Sequence, residues 1–254
     1  MIRAEKDNWD KHWEQYATAA GINPAQRMRH SSILTALRAG EWPTRRLLDV
    51  GSGQGDFLLR ATRAGAAQAY AGFEISESGI KVSRDKVPQA NFIQIDLFAP
   101  TQESDSFENW ATVAVCSEVI EHVDDPVGFL QSLRHYMMSG ATLVLTVPAG
   151  PMSQFDHEIG HRHHYTKAQA REVLMSAGFD VEATWLAGFP FFNLYRLAVV
   201  LRGARLSKDA KSAEHGGTTS KAAKIALAMF GFLFRFNLPN CALGWQVVAL
   251  ARKR

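Results

Sequence analysis

The run Leu47-Leu48-Asp49-Val50-Gly51-Ser52-Gly53-Gln54-Gly55-Asp56-Phe57 constrains this chain more than any other segment. Arg45 and Arg46 lead into a strand-length apolar stretch, Leu47 to Val50, and Phe57-Leu58-Leu59 opens the apolar face of a helix. Between them, three glycines at alternate positions remove Cβ atoms where the backbone must turn sharply and where a ligand can lie against it. The carboxyl end of such a strand borders a crevice suited to a nucleotide-type ligand. Alternating strand and helix patterns continue along the chain, so the expectation is an α/β protein with a sheet sandwiched by helices.

A dinucleotide fingerprint would read Gly-x-Gly-x-x-Gly and seat a pyrophosphate at the helix N-terminus. Here the third glycine comes one residue early, and Asp56 stands where that fingerprint has glycine. A carboxylate would repel a pyrophosphate, whereas Asp49 suits a ligand carrying a free ammonium group. Asp-x-Gly-x-Gly-x-Gly resembles the first motif of class I S-adenosylmethionine-dependent methyltransferases, in which the glycine turn holds the amino-acid end of the cofactor. A tight strand-to-helix turn could explain the glycines alone, but two further motifs follow in order. Ala69 to Glu74 reads as a strand ending in a carboxylate about twenty residues on, the spacing of a ribose-binding acid. Asn91 to Ile95 is a third strand, ending at Asp96-Leu97. The resemblance implies that Asp96 meets the adenine amino group and that Leu97 packs on the ring. The implied cofactor set is Asp49, Gly51, Gly53, Gly55, Glu74, Asp96 and Leu97, with Ser117 at the end of strand four. Arg29 joins it, near the cofactor carboxylate as in ubiquinone-pathway enzymes, though a plain surface arginine fits that position nearly as well.

At 254 residues the chain suits one elaborated domain. Cys116 and Cys241 are too few for a disulfide framework or a zinc site, which points to a reducing, cytoplasmic setting. Met1 to Asp7 lacks an apolar signal core. Charge is uneven: Arg196 to Arg254 holds eleven Lys/Arg against Asp209 and Glu214, a net +9, which leaves −6 for the rest of a +3 chain. That asymmetry implies an anionic neighbour for the C-terminal quarter.

Helices over 8–20, with Trp9, Trp13 and Tyr16 on one stripe, and over 24–38 form an N-terminal section, 1–40, covering the cofactor mouth. Strands near 45–50, 69–74, 91–95, 111–117, 141–147, 179–186 and 245–250 make up the core, 41–188 plus 241–254. Helices near 55–64, 77–87, 126–138 and 167–177 alternate with them. The resemblance implies a seven-stranded Rossmann-like methyltransferase sheet whose last strand is antiparallel and lies beside the fifth. Between the last two strands, residues 189–240 form a helical insertion: 191–202 and 221–236 have helical patterns, and Ser207 to Ser220 reads as a mobile loop. The run Ala226 to Phe234 is apolar nearly all round yet shorter than the ~20 residues that cross a bilayer. It fits a cap over the core, a homodimer contact, or a peripheral membrane anchor.

Chemistry is expected in the loop after strand four, Cys116-Ser117-Glu118-Val119-Ile120-Glu121-His122-Val123-Asp124-Asp125-Pro126. Spacings of three and four put Glu118, Glu121 and His122 on one side of a helical turn. Glu-x-x-Glu-His resembles the motif of ubiquinone-biosynthesis O-methyltransferases and that of small-RNA 3′-terminal 2′-O-methyltransferases. The latter bind magnesium through these residues and a histidine after strand five, which implies Glu118, Glu121, His122 and His161 as ligands of Mg or Mn here. The same motifs recur in metal-free relatives, where His122 or His161 would act as base and Glu118 would contact the cofactor. His157, His163 and His164 read as surface or rim residues, and Tyr165 as core packing.

The function expected is O-methylation of a small or lipid-linked metabolite, with Glu118, His122 and His161 as catalytic candidates. A metal-dependent RNA 2′-O-methyltransferase and an N-methyltransferase are the alternatives. No RNA-binding domain or stacking platform is visible, so nucleic acid is not the expected partner.

Overall fold

The computed structural model describes residues 8–11, 13, 23–38, 44–201 and 221–254, without the side chains of 221–224. Asn23 opens α1 (Pro24–Leu37). Its side chain accepts the Ala25 N–H at 2.9 Å, and Pro24 occupies the first turn, where a missing N–H costs nothing. There follow β1 (Arg46–Val50), α2 (Asp56–Arg63), β2 (Ala69–Glu74), α3 (Glu77–Lys86), β3 (Asn91–Gln94) and β4 (Ala111–Ser117). Next come α4 (Pro126–His135), β5 (Met137–Pro148), α5 (Lys167–Ser176) and β6 (Phe179–Ala187). Helix α6 spans 191–201, and α7 (Lys221–Leu233) and β7 (Gln246–Lys253) complete the chain.

The seven strands form one sheet in the order β3-β2-β1-β4-β5-β7-β6. Pairings are parallel except those of β7, which runs antiparallel to both β5 and β6. Strand order reverses between β1 and β4, so a crevice opens there at the carboxyl ends of the strands.

The apolar runs exist because both sheet faces are covered. Side chains alternate along a strand: Leu48 and Val50 join one core with Phe73, Leu143 and Leu145, while Leu47 joins the other with Tyr70, Val113 and Val144. Helices α4 and α5 supply Leu130, Leu133 and Leu174 to the first core; α1 and α2 supply Ile33, Leu37, Phe57 and Leu58 to the second. A third cluster, Ala25, Phe192 and Phe234, ties the insertion to α1.

Several boundaries differ from the sequence expectation. Helix α4 stops at His135 rather than 138, because the N–H groups of Asn109 and Ala111 take the His135 and Tyr136 carbonyls and draw Met137 into β5 opposite Ala111. Strand β7 continues past Leu250 to Lys253. Short helical turns at Gln102–Asp105 and Gln154–Glu158 have no periodic signal because each spans little more than one turn. Residues 9–11 and 13 are helical; the rest of the expected N-terminal helix, Tyr16 included, lies outside the described residues, as does the expected loop Ser207 to Ser220.

Candidate active site

The turn after β1 is built from left-handed backbone. Gly51 and Gly53 have φ of 71° and 53°, and each is also closely overlaid: a Cβ would fall 2.4 Å from Val119 Cγ2 at Gly51 and 2.4 Å from Trp13 Cζ2 at Gly53. Gly55 caps α2 and packs on Ser83 and Phe92, a structural position rather than a cleft wall. The N–H groups of Gly51 and Ser52 donate to the Phe73 carbonyl at 2.8 and 3.0 Å, locking the turn to the end of β2.

Glu74 organises the same corner. Its carboxylate accepts N–H groups from Gly53 at 2.7 Å and from Ile75 and Ser76 at 2.9 Å. Burial raises its pKa, and these three bonds work against that rise. Asp49 lies beneath the turn, 3 % exposed; burial, and then the neighbouring Glu74, push its pKa well above the ordinary range. A cationic ammonium arriving beside it would favour its ionised form. Asp10 fastens the N-terminal segment to α3, accepting from Ser76 Oγ at 2.6 Å and the Ser78 N–H at 3.1 Å, and so sets Trp9 and Trp13 over the opening.

The resulting cleft measures ≈ 720 Å³, a size that suits a nucleoside. Gly51, Glu74, Asp96 and Leu97 line it, and Ile75, Phe98 and Phe129 add apolar wall. Asp49, Gly53, Gly55, Ser117 and Arg29 are not in its wall. Ser117 instead shares a 2.8 Å hydrogen bond with Thr146, and Arg29 reaches Glu118 at 3.6 Å.

Glu118, which also lines the cleft, has a left-handed φ of 57°, held by its N–H to the Thr146 carbonyl at 2.9 Å. Its carboxylate accepts Gln246 Nε2 at 2.9 Å and Thr146 Oγ1 at 3.3 Å. The turn Ile120–His122 then buries Glu121 completely, with neither carboxylate oxygen hydrogen-bonded to protein. Burial, then the nearby Glu118, push the Glu121 pKa well up. Donor atoms of Glu121, His122 and His161 lie within 4.8 Å of one another. Glu118, the fourth of the expected ligands, is not in that group, and its oxygens are directed to Gln246, Thr146 and Arg29.

His122 lines the cleft and is held edge-on between Trp9, at 4.7 Å, and His161, at 4.6 Å. His161 Nδ1 lies 3.1 Å from His164 Nε2, and His164 Nδ1 lies 3.1 Å from the Gly150 carbonyl. A carbonyl only accepts, so His164 Nδ1 is the donor and its neutral ring accepts from His161 Nδ1. That order leaves the lone pair of His161 on Nε2. Burial, then His122, hold the His161 pKa down to about 2, so the ring is neutral. His164 is thus hydrogen-bonded to the site through His161 while half-exposed; His163 is exposed, and Tyr165 is buried with its hydroxyl donating to the Ile120 carbonyl at 3.2 Å.

Asp156 supports this wall. It accepts Arg196 Nη1 and Nη2 at 3.1 and 2.8 Å and the Ser153 N–H and hydroxyl at 2.7 and 2.8 Å, while its carbonyl accepts the His161 N–H at 2.9 Å. Burial raises its pKa, but the hydrogen bond and charge of Arg196 outweigh that and settle it at about 2. Arg162 pairs with Asp124 at the cleft mouth. Sequence reading missed Gln246, Asp156, Arg196 and Arg162 as site neighbours. Gln246 and Arg196 are far from the motif loop in the chain, and nothing in their own surroundings marks them.

Comparison with known proteins bears on the fold and the family. The methyltransferase-domain family matches residues 16–184. No curated protein matches the chain. Among solved structures, phosphoethanolamine N-methyltransferase 2 of Haemonchus contortus, bound to phosphomonomethylethanolamine and S-adenosylhomocysteine, is similar with a TM-score of 0.64 and 18 % identity over 99 % of this chain; the chain spans only 60 % of that protein. A Thermotoga maritima S-adenosylmethionine-dependent methyltransferase, described as a possible histamine N-methyltransferase, gives 0.62 at 14 % identity, covering 97 % of this chain and 98 % of that one. Geranyl diphosphate methyltransferase, in complex with GPP and sinefungin, gives 0.57 at 10 % identity over 90 % and 79 %.

Proposed function

The chain belongs to the methyltransferase-domain family and is a class I S-adenosylmethionine-dependent methyltransferase, and on that footing we propose that it methylates a hydroxyl on a small or lipid-linked metabolite. The observation that carries the reading is His122 at the cleft wall, its ring edge-on to a half-buried, neutral His161 behind it. An amine acceptor needs little help in losing its proton after attack, whereas a hydroxyl is a weak nucleophile without a base.

In this reading the glycine turn, Glu74 and Asp96 hold the cofactor with its methyl toward His122. The acceptor oxygen attacks the methyl carbon as the carbon–sulfur bond breaks, and the bonding pair stays on sulfur to give S-adenosylhomocysteine. His122 takes the hydroxyl proton and passes it to solvent. Trp9 and His161 fix its ring, and alignment contributes as much as proton removal.

A second reading has its own support in Glu121, whose buried carboxylate lacks a protein partner beside two imidazoles. Glu121, His122 and His161 would hold Mg or Mn, which would lower the pKa of the acceptor hydroxyl. This donor set is loose for such cations, which favour oxygen ligands.

The test is a methyl-transfer assay with labelled S-adenosylmethionine against matched panels of hydroxyl and amine acceptors, with and without chelator. Turnover of hydroxyl acceptors only, with a rate that falls as an imidazole protonates, supports the proposal. Exclusive turnover of amines overturns it.

A further inference from the structure

Two helices of the insertion turn apolar stripes away from the protein. Leu194, Leu197 and Leu201 share one face of α6, and Ile225, Met229, Phe232 and Phe236 share one face of α7 and the turn Phe234–Phe236 that follows. These side chains are between 40 and 78 % exposed. The opposite faces are used: Tyr195 packs against Phe230 and Phe234, and Phe192 against Phe234. Leu238 and Leu243 extend the outward patch, which holds nine of the twelve exposed large apolar side chains among the described residues. Apolar clusters of this extent mark an interaction surface.

Charge decides what covers it. Residues 189–243 carry eight Lys/Arg against two acids, a net +6. Arg235 stands 6.0 Å over the ring of Phe232, a cation at the edge of the apolar stripe. Phe232 and Arg235 also line a groove of ≈ 1040 Å³ whose wall includes Arg27 and Arg60. A two-fold dimer through this patch would set one basic segment against its own copy. No helix among the described residues is long and apolar enough to cross a membrane.

We propose that this face docks on an anionic membrane surface, with the Leu, Ile, Met and Phe side chains at the acyl boundary and Arg235 among phosphate headgroups, drawn there by the net positive charge of the insertion. The proposal stands whichever acceptor the enzyme uses. It has a route to the site, because α6 also carries Arg196, the partner of Asp156 beside His161.

The full-length protein is sedimented with phosphatidylcholine vesicles, with and without roughly one-third phosphatidylglycerol. Binding to the anionic vesicles, weakened by salt and weak on neutral ones, is expected. Replacing both Phe232→Glu and Phe236→Glu should lower the partition coefficient about tenfold or more, with S-adenosylhomocysteine affinity unchanged as evidence of an intact fold. Failure to bind either vesicle, or full binding by the double variant, overturns the proposal. So does a concentration-dependent dimer that the double variant abolishes without any vesicle binding, which would assign the face to a second copy of the chain.

Discussion

Arg196→Met breaks the ion pair that joins the insertion to the histidine wall. The Asp156 side chain is 1 % exposed and that of Arg196 14 %, so solvent screens the pair little. Its Asp156 pKa falls from 3.8 to about 2, which corresponds to roughly 2–3 kcal/mol of folding free energy. Removing one partner of a buried pair costs about 3–5 kcal/mol, but Asp156 keeps both Ser153 donors. We therefore expect a loss of about 2–4 kcal/mol. A depressed carboxyl contributes fully above its unfolded value and loses that contribution as pH falls through its folded one. The deficit should thus be equal at pH 7 and pH 5 and shrink only below about pH 4. Urea unfolding followed by tryptophan fluorescence measures it. Adding Asp156→Asn to the variant should cost less than the two single losses together, because no unpaired charge remains. A single variant within about 0.5 kcal/mol of the parent would refute the reasoning.

Other perturbations separate binding from chemistry. His122→Ala should lower kcat by about a hundredfold or more with S-adenosylmethionine affinity little changed; unchanged turnover of the true acceptor removes this residue from proton transfer. Gly53→Ala forces a Cβ into Trp13 at a left-handed position, costing about 1–2 kcal/mol in backbone strain alone; calorimetry should show weakened cofactor binding, and undiminished affinity would count against the placement of the turn. His30, 6 % exposed, has its pKa held to about 3 by burial, with Arg29 and Arg60 adding to the effect. Its contribution is complete above the unfolded value of 6.5 and declines by up to about 1.4 kcal/mol per pH unit below it; His30→Leu should flatten the acid limb of a plot of thermal midpoint against pH. Activity that survives exhaustive chelation, with no gain on adding Mg or Mn, rules out the cation at Glu121, His122 and His161.

The core sheet was legible in the sequence because buried parallel strands are continuous apolar runs, and the glycine turn, Glu74 and Asp96 sit at their ends. Leu47 to Val50 and Ala111 to Ser117 needed only local pattern. The end of α4 was misplaced because Met137 and Met138 suit a helix as well as a strand, and the decision came from carbonyls taken by Asn109 and Ala111. His122 and His161 stood out by motif, but the order of protons through His164 depends on the Gly150 carbonyl, which no spacing rule reveals. Glu118 looked like a third member of the acidic face. A left-handed backbone and an amide from β7 turn its carboxylate elsewhere.

That unusual dihedral at Glu118 sets durability against purpose. Glycine there would relax a conformation that disfavours side chains by about 1 kcal/mol or more, so Glu118→Gly should survive heating better than the parent if the lost hydrogen bonds cost less. The same exchange would release Gln246 and Arg29 from the wall beside the reacting groups. A laboratory search for hardier variants would keep glycine at position 118 only where the relief of strain exceeds the loss of the bonds to Gln246, Thr146 and Arg29.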